Sequence, residues 1–353
     1  MPHDPIRTAS AFPASTPLHV EPTCARILEV VHRQLSIDEP WTHRTAEGFT
    51  WWPGGGVRQH VRAEGPVEVE GLDTWWLTIE TPVWQGGDAV ALAPLVEALR
   101  VAAHGAAVVH DAATGRTSLV TRTYLLPESI VARGLRFAAL GVVQARLALD
   151  AWAEAAAQLG DRADAWRDRE GHPARGPRDE LDEVLALPEA VFEPRARQLG
   201  DAGLRALLAT TARSLEAAFG RPQGDVDDGV LFFAADLGPR NGLVVATTME
   251  HELIGPSVVA SLIVDGPFEP DEARALGDAL QRRALAAPSV QWTLGSWVVR
   301  PQVGDDPGHM LIHPTFLPLA VFDADWGMGL ASAVGFEVAE VRMAFGEGVE
   351  GAG

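Results

Sequence analysis

The sequence predicts an α+β fold of two duplicated lobes, each a mostly antiparallel five-stranded sheet with packed helices. Three observations point there. The chain has 353 residues, long for one core when domains usually hold about 100–200. Strand-like runs are grouped, with helical runs before, between and after them, rather than alternating strictly as in βαβ units. The order helix, three strands, helix, two strands, helix also occurs twice.

The first lobe is expected over residues 21–160, after a Pro-, Ser- and Ala-rich flexible lead-in at 1–20. That lead-in, MPHDPIRTASAFPASTPLHV, has no basic region followed by an apolar core, so it does not read as a secretory signal. In 22–35, Ile27, Val30, Val31 and Leu35 recur at helical spacing. GFTWW, GVRQHVRAEG and DTWWLTIETPVW read as three strands separated by Gly, Pro and acidic turns. A helix follows at about 88–103, with Asp88 as its N-cap. AAVVHDAATGRTSLVTRTYL reads as a hairpin, and an alanine-rich helix runs from about Glu128 to Gly160 after the start signal LPES. Residues 161–199 are expected to be a linker and connecting segment, because 161–180 is charged, punctuated by Gly and Pro, and without period.

The second lobe is expected over 200–346, with a flexible tail at 347–353. A helix at 200–219 places Leu204, Leu207, Leu208, Leu215 and Phe219 on one face. GVLFFAADLG, GLVVATTMEHEL and SVVASLIVDGPF are strands, and a helix starts near 269. SVQWTLGSWVVRPQV with GHMLIHPTFL forms a second hairpin, and the last helix runs through LAVFDADWGMGLASAVGFEVAEV. Short matches link the halves: LTIETPV (77–83) with LIVDGPF (262–268), Leu95 and Leu99 with Leu276 and Leu280, and TYL (123–125) with TFL (315–317). Their common order predicts an internal duplication.

Composition narrows the function. The net charge of −20 repels phosphate backbones and argues against nucleic-acid binding; it attracts basic partners instead. No apolar run approaches the roughly 20 residues of a membrane span. The single cysteine, Cys24, rules out a disulfide within the chain and a Cys-rich zinc site, and predicts a cytoplasmic protein. Cys24 itself reads as a buried, inert thiol.

The element order and acidic charge resemble the type III secretion chaperone-like fold, also seen in the YbjN-type family and in tandem chaperone-like proteins of high-GC bacteria. Mycobacterial secretion chaperones of the EspG type are a second likeness, in architecture alone. The resemblance covers about 20–160 and 200–345 and is one of topology, not of motif. It implies a non-enzymatic protein that binds another polypeptide along a sheet or helix face. The chain is about twice the length of a single chaperone of this kind, as if a dimer had been fused, and a pseudo-dimeric monomer or a homodimer is expected.

Residues with chemical potential fall to structural readings. His309 and His313, if extended, have Cα atoms roughly 13–14 Å apart, too far for one metal ion. In MEHELIG, alternation puts Glu250 and Glu252 on one face and His251 on the other, and position 255 is Gly, so no zinc-peptidase motif is present. Asp323 and Asp325 lack the further oxygen donors of a calcium loop; Asp323 reads as a helix cap. GDVDDG (224–229) is an acidic turn, and Ser296 has no nucleophile elbow. No catalytic residue, cofactor or metal is expected.

The tryptophans remain. Trp51 and Trp52 are adjacent on one strand, and Trp75 and Trp76 on another, so one of each pair enters the core and the other points outward. Two readings stay open for the outward members: cover from within the protein, or an exposed aromatic surface that anchors a partner. The resulting functional expectation is a chaperone-like or adaptor protein whose partner offers a basic or amphipathic segment. The alternative is an enzyme or small-molecule sensor with a ligand cleft between the lobes.

Overall fold

The computed structural model describes residues 21–350, apart from 70, 88, 112, 182, 184–187, 288–291, 303–307 and 322–326. Asp88, Asp323 and Asp325, and the lead-in at 1–20, lie outside the described residues.

The first lobe opens with α1 (Pro22–Gln34). Pro22 suits the first turn, where its missing N–H has no helical partner to lose, and the Glu21 carboxylate accepts from the N–H groups of Thr23 and Cys24. Strands β1 (Thr42–Arg44), β2 (Gly48–Gly54), β3 (Val57–Val69) and β4 (Leu72–Trp84) follow as antiparallel neighbours. Then come α2 (Ala89–Ala102), β5 (Ala107–Asp111), β6 (Arg116–Leu125) and the long α3 (Ile130–Leu159).

The second lobe begins with α5 (Pro188–Phe219), bent at Gly200, where φ is +54°. Strands β7 (Gln223–Asp225), β8 (Val230–Asp236), β9 (Asn241–His251) and β10 (Gly255–Phe268) lead to α6 (Pro270–Ala286). Strands β11 (Trp292–Thr293), β12 (Val298–Pro301) and β13 (His309–Pro318) and helix α7 (Gly327–Glu350) complete it. The last helix therefore reaches into the segment expected to be a flexible tail.

The fold is α+β with two antiparallel sheets, and both halves share one topology. The inner strands run β2-β3-β4-β6-β5 in the first lobe and β8-β9-β10-β13-β12 in the second. Short edge pieces enlarge both sheets, to seven and six strands. The quoted sequence matches are two residues out of step in the sheets. Leu77 pairs with Thr123, whereas Leu262 pairs with His313. Aligning the first strands thus sets Thr123 against His313, not Thr315. A slip of two keeps every side chain on its face, which is why the pattern survives it.

Two departures from expectation matter. Of the stretch expected as one strand at 289–303, residues 292–301 form two short strands separated by 294–297. Trp292 and Thr293 pair with Thr123 and Arg122 of β6, in the other lobe, and the Leu294 carbonyl accepts from Phe316 N–H of β13. Residues 292–294 therefore stitch the two sheets together. The linker of 161–180 is also structured. After the short α4 (Asp161–Asp164) the chain runs along the first lobe, with Gln85 N–H donating to the Trp166 carbonyl, Asp168 N–H to that of Val83, and Gly56 N–H to that of Arg178. These bonds satisfy a backbone that has no period of its own.

The buried apolar side chains form one contiguous cluster through both lobes. Across the junction, the buried Arg100 on α2 pairs with Glu97 and with Asp278 on α6, and the Ser296 hydroxyl accepts from Val108 N–H at 2.6 Å.

Candidate functional site

Alternation places the four tryptophans on the faces expected of them, and the structure covers all four. Trp51 and Trp75 enter the core, 1% and 8% exposed; Trp75 Nε1 donates to the Glu21 carboxylate at 2.7 Å. Trp52 and Trp76 lie on the opposite face, yet are only 3% and 1% exposed. Trp52 sits under the 165–178 strap, its Nε1 donating to the Glu170 carbonyl at 2.8 Å and its ring 5.0 Å from that of His172. Trp76 lies beneath the Arg122 guanidinium, 4.0 Å from the ring centroid, with Tyr124 edge-on at 5.9 Å. The exposed aromatic patch is therefore absent. The protein's own strap and arginine remove these rings from water, and burying a large side chain is worth roughly 2–3 kcal/mol.

Around Trp76 the outward face of the first sheet is charged. Arg62 and Glu64 on β3, Thr78 and Glu80 on β4, and Arg116, Ser118 and Arg122 on β6 line a trough of about 400 Å3. Glu80 ties it together, within 3.3 Å of Arg62, 3.0 Å of Arg116 and 3.0 Å of the Ser118 hydroxyl. Arg122 also donates to the Leu285 carbonyl in the last turn of α6, where a cation complements the helix dipole. Three arginines and three acids, with Asp111, leave this trough balanced.

The matching face of the second sheet is apolar. Its helix-facing side carries Leu231, Phe233, Val244, Ala246, Ala260 and Leu262, all buried in the core. On the other side the register lines up Ala234, Leu243, Ile263 and Ile312 in one row, and Phe232, Val245, Ser261 and Pro314 in the next. Phe232 and Met249 are 39% and 40% exposed, Ala234 is exposed, and Leu243, Val245, Ile263 and Ile312 are half-buried. Toward β13 this side is covered: Phe316 stacks on His104 of the first lobe, with centroids 4.0 Å apart, and its neighbour Val259 is buried.

Sequence reasoning missed this face, although a signal was present. VLFF, LVVA and SLIV are apolar at both parities, a pattern ordinarily found in strands covered on both sides. Here no helix among the described residues covers the Phe232 and Val245 side.

The remaining candidates have structural roles. Burial with Glu21 beside it pushes the Cys24 thiol up to about 11, so it stays protonated and inert. Ser296 is spent on Val108 N–H. Asp225 caps its own turn by accepting from Asp227 N–H. His251 packs against His104 at 4.5 Å, and its Nδ1 accepts from Leu253 N–H, so it does not stand as an isolated base. His313 is buried beside Glu337 on α7. Among the described residues no group of three His, Cys, Asp or Glu side chains is placed to hold a metal ion. The tip of the β9–β10 hairpin at His251, Glu252 and Leu253 lines two cavities: one of about 460 Å3 against α5 within the second lobe, and one of about 490 Å3 between the lobes, against α2 and α3.

No family model, curated protein or solved structure matches this chain. Among the described residues no helix is long and apolar enough to cross a membrane. The class defined by fold and surface is thus a two-lobed α+β protein with one charged and one apolar open sheet face.

Proposed function

We propose that the protein acts by stoichiometric association, holding an apolar stretch of another polypeptide on the open face of the second sheet, without catalysis. The observation that carries this reading is the row pair Phe232–Val245 and Leu243–Ile263, with Met249 two rows further along the same face, beyond Thr247. Aliphatic and aromatic side chains left partly exposed in adjacent rows of a sheet mark a surface that is covered in use. Met249 adds an adaptable contact suited to varied partners. The role is that of a chaperone-like or adaptor protein, a pseudo-dimeric monomer in a reducing, cytoplasmic compartment. Its net charge of −20 keeps such a surface soluble and disfavours nucleic acid.

The test is selection of binders from a library of defined peptides, followed by affinity measurement on wild type and on a Phe232→Ser/Met249→Ser double variant. Peptides rich in apolar residues should bind wild type and lose about tenfold or more on the double variant, with unchanged melting temperature. Binding indifferent to the double variant would overturn the reading. Selection of no peptide, with a small molecule instead stabilising the protein against heat, would transfer the function to the cavity between the lobes.

A further inference from the structure

The open face of the second sheet has unlike ends. Beside and beyond Val230 stand Asp225, Asp227 and Asp228, all exposed, whereas Glu250 has the parity of Val244 and Ala246 and falls on the side of α5. His251, next in the chain, is held below its usual pKa by burial and brings no charge near neutral pH. At the other end Asp236 is already paired with Arg342 at 2.7 Å, and Arg240 donates to the Asp265 carbonyl. Arg221 also falls toward that end, because Gln223 pairs with Phe232 and the chain before it runs toward Ala234. One end is thus strongly acidic and the other is mixed.

The length of the apolar strip sets the size of what covers it. From Leu243 to Met249 is six residue steps along β9, roughly 20 Å at about 3.3 Å per step. An α-helix covers that distance in about 13 residues. An added strand is disfavoured at either edge. The outermost strands, β7 and β12, have only three and four residues, and β12 ends in Pro301. The face, not the edge, offers the area.

Resting on the reading above, we propose that the partner is an amphipathic helix of about three to four turns. Its apolar side lies on Phe232, Val245, Leu243 and Ile263, and its basic residues are gathered at one end, over Asp225, Asp227 and Asp228. A second copy of this chain suits the face poorly, because each copy would bring a net charge of −20.

The experiment uses the full-length protein and four synthetic 14-residue peptides sharing one leucine face. The first carries three lysines at one end, the second three glutamates there, and the third three serines. The fourth is the lysine peptide with a central proline. At 50 mM salt the lysine peptide should bind about tenfold tighter than the serine peptide, and the glutamate peptide weakest. The difference should shrink to about twofold at 1 M salt, and likewise in an Asp225→Asn/Asp227→Asn/Asp228→Asn variant. The proline peptide should lose most of its affinity. Equal binding of the lysine and glutamate peptides would overturn the charge assignment while leaving the apolar face in place. Undiminished binding of the proline peptide would overturn the helix. If no peptide binds, or binding survives Phe232→Ser/Met249→Ser, the underlying reading falls as well. Sedimentation showing a dimer that Phe232→Ser converts to monomer would give the face to a second copy and overturn the proposal.

Discussion

His313 Nε2 lies 3.9 Å from Glu337 Oε1, with both side chains 5% exposed in the core of the second lobe. The gap is too long for a direct hydrogen bond. Burial holds the Glu337 carboxyl up at about 8, so it is protonated near neutrality, and pushes the His313 imidazole down to about 3, so it is neutral.

These shifts fix a pH profile. Glu337 imposes no cost on folding below its ordinary value of 4.5; its contribution is lost as pH rises through about 8, because the unfolded chain releases the proton first. His313 contributes fully above 6.5 and its contribution is lost as pH falls through about 3, because the unfolded chain takes up the proton first. Between 4.5 and 6.5 the two slopes cancel. Above 6.5 the Glu337 slope stands alone, on the order of 1.4 kcal/mol per pH unit until about 8. Denaturant unfolding from pH 5 to 9 should show this alkaline loss in wild type and not in Glu337→Gln. A wild-type-minus-variant difference that stays flat across the range would refute the account.

The strap over Trp52 gives a second prediction. Arg58 is held between Asp168, at 2.7 Å and almost wholly buried, and Glu170, which is largely exposed. Asp168→Ala leaves the guanidinium without its buried counter-ion, a loss of about 3 kcal/mol. The effect should be local first. Trypsin should cut at Arg167, Arg169 or Arg175 before the lobe unfolds, and emission from Trp52 should shift to the red. Cleavage there at the wild-type rate would mean that the ion pair does not fasten the strap.

That strap also marks the limit of what the sequence discloses. The strands β2, β3 and β4 and helices α1 and α3 are legible because period and turn chemistry are local properties, and so are the inward and outward members of each Trp pair. Residues 165–178 have no period, and their order comes from bonds to Val83, Gln85 and Gly56, distant in the chain. A side chain's face follows from parity, but its cover does not. Trp52 and Phe232 both point away from the helices, and only tertiary structure buries the first and exposes the second. The same holds for β11, whose partner strand lies in the other lobe.

The stitch between the sheets supplies the last prediction. Gly295 adjoins Leu294, whose carbonyl accepts from Phe316 N–H, and a Cβ placed on Gly295 would stand 1.7 Å from the Pro314 carbonyl oxygen. That oxygen belongs to the backbone of β13 and cannot swing aside as a side chain would. Gly295→Ala should therefore force the two strands apart and cost about 3 kcal/mol or more. Gly335, inside α7, is the contrasting case, since a Cβ there meets nothing within 4 Å. Gly335→Ala keeps the helical backbone, lowers the freedom of the unfolded chain and should stabilise by up to about 1 kcal/mol. Thermal unfolding of the two variants beside wild type separates the effects. A Gly295→Ala protein as stable as wild type would show that residues 292–294 do not bind the two sheets into one structure.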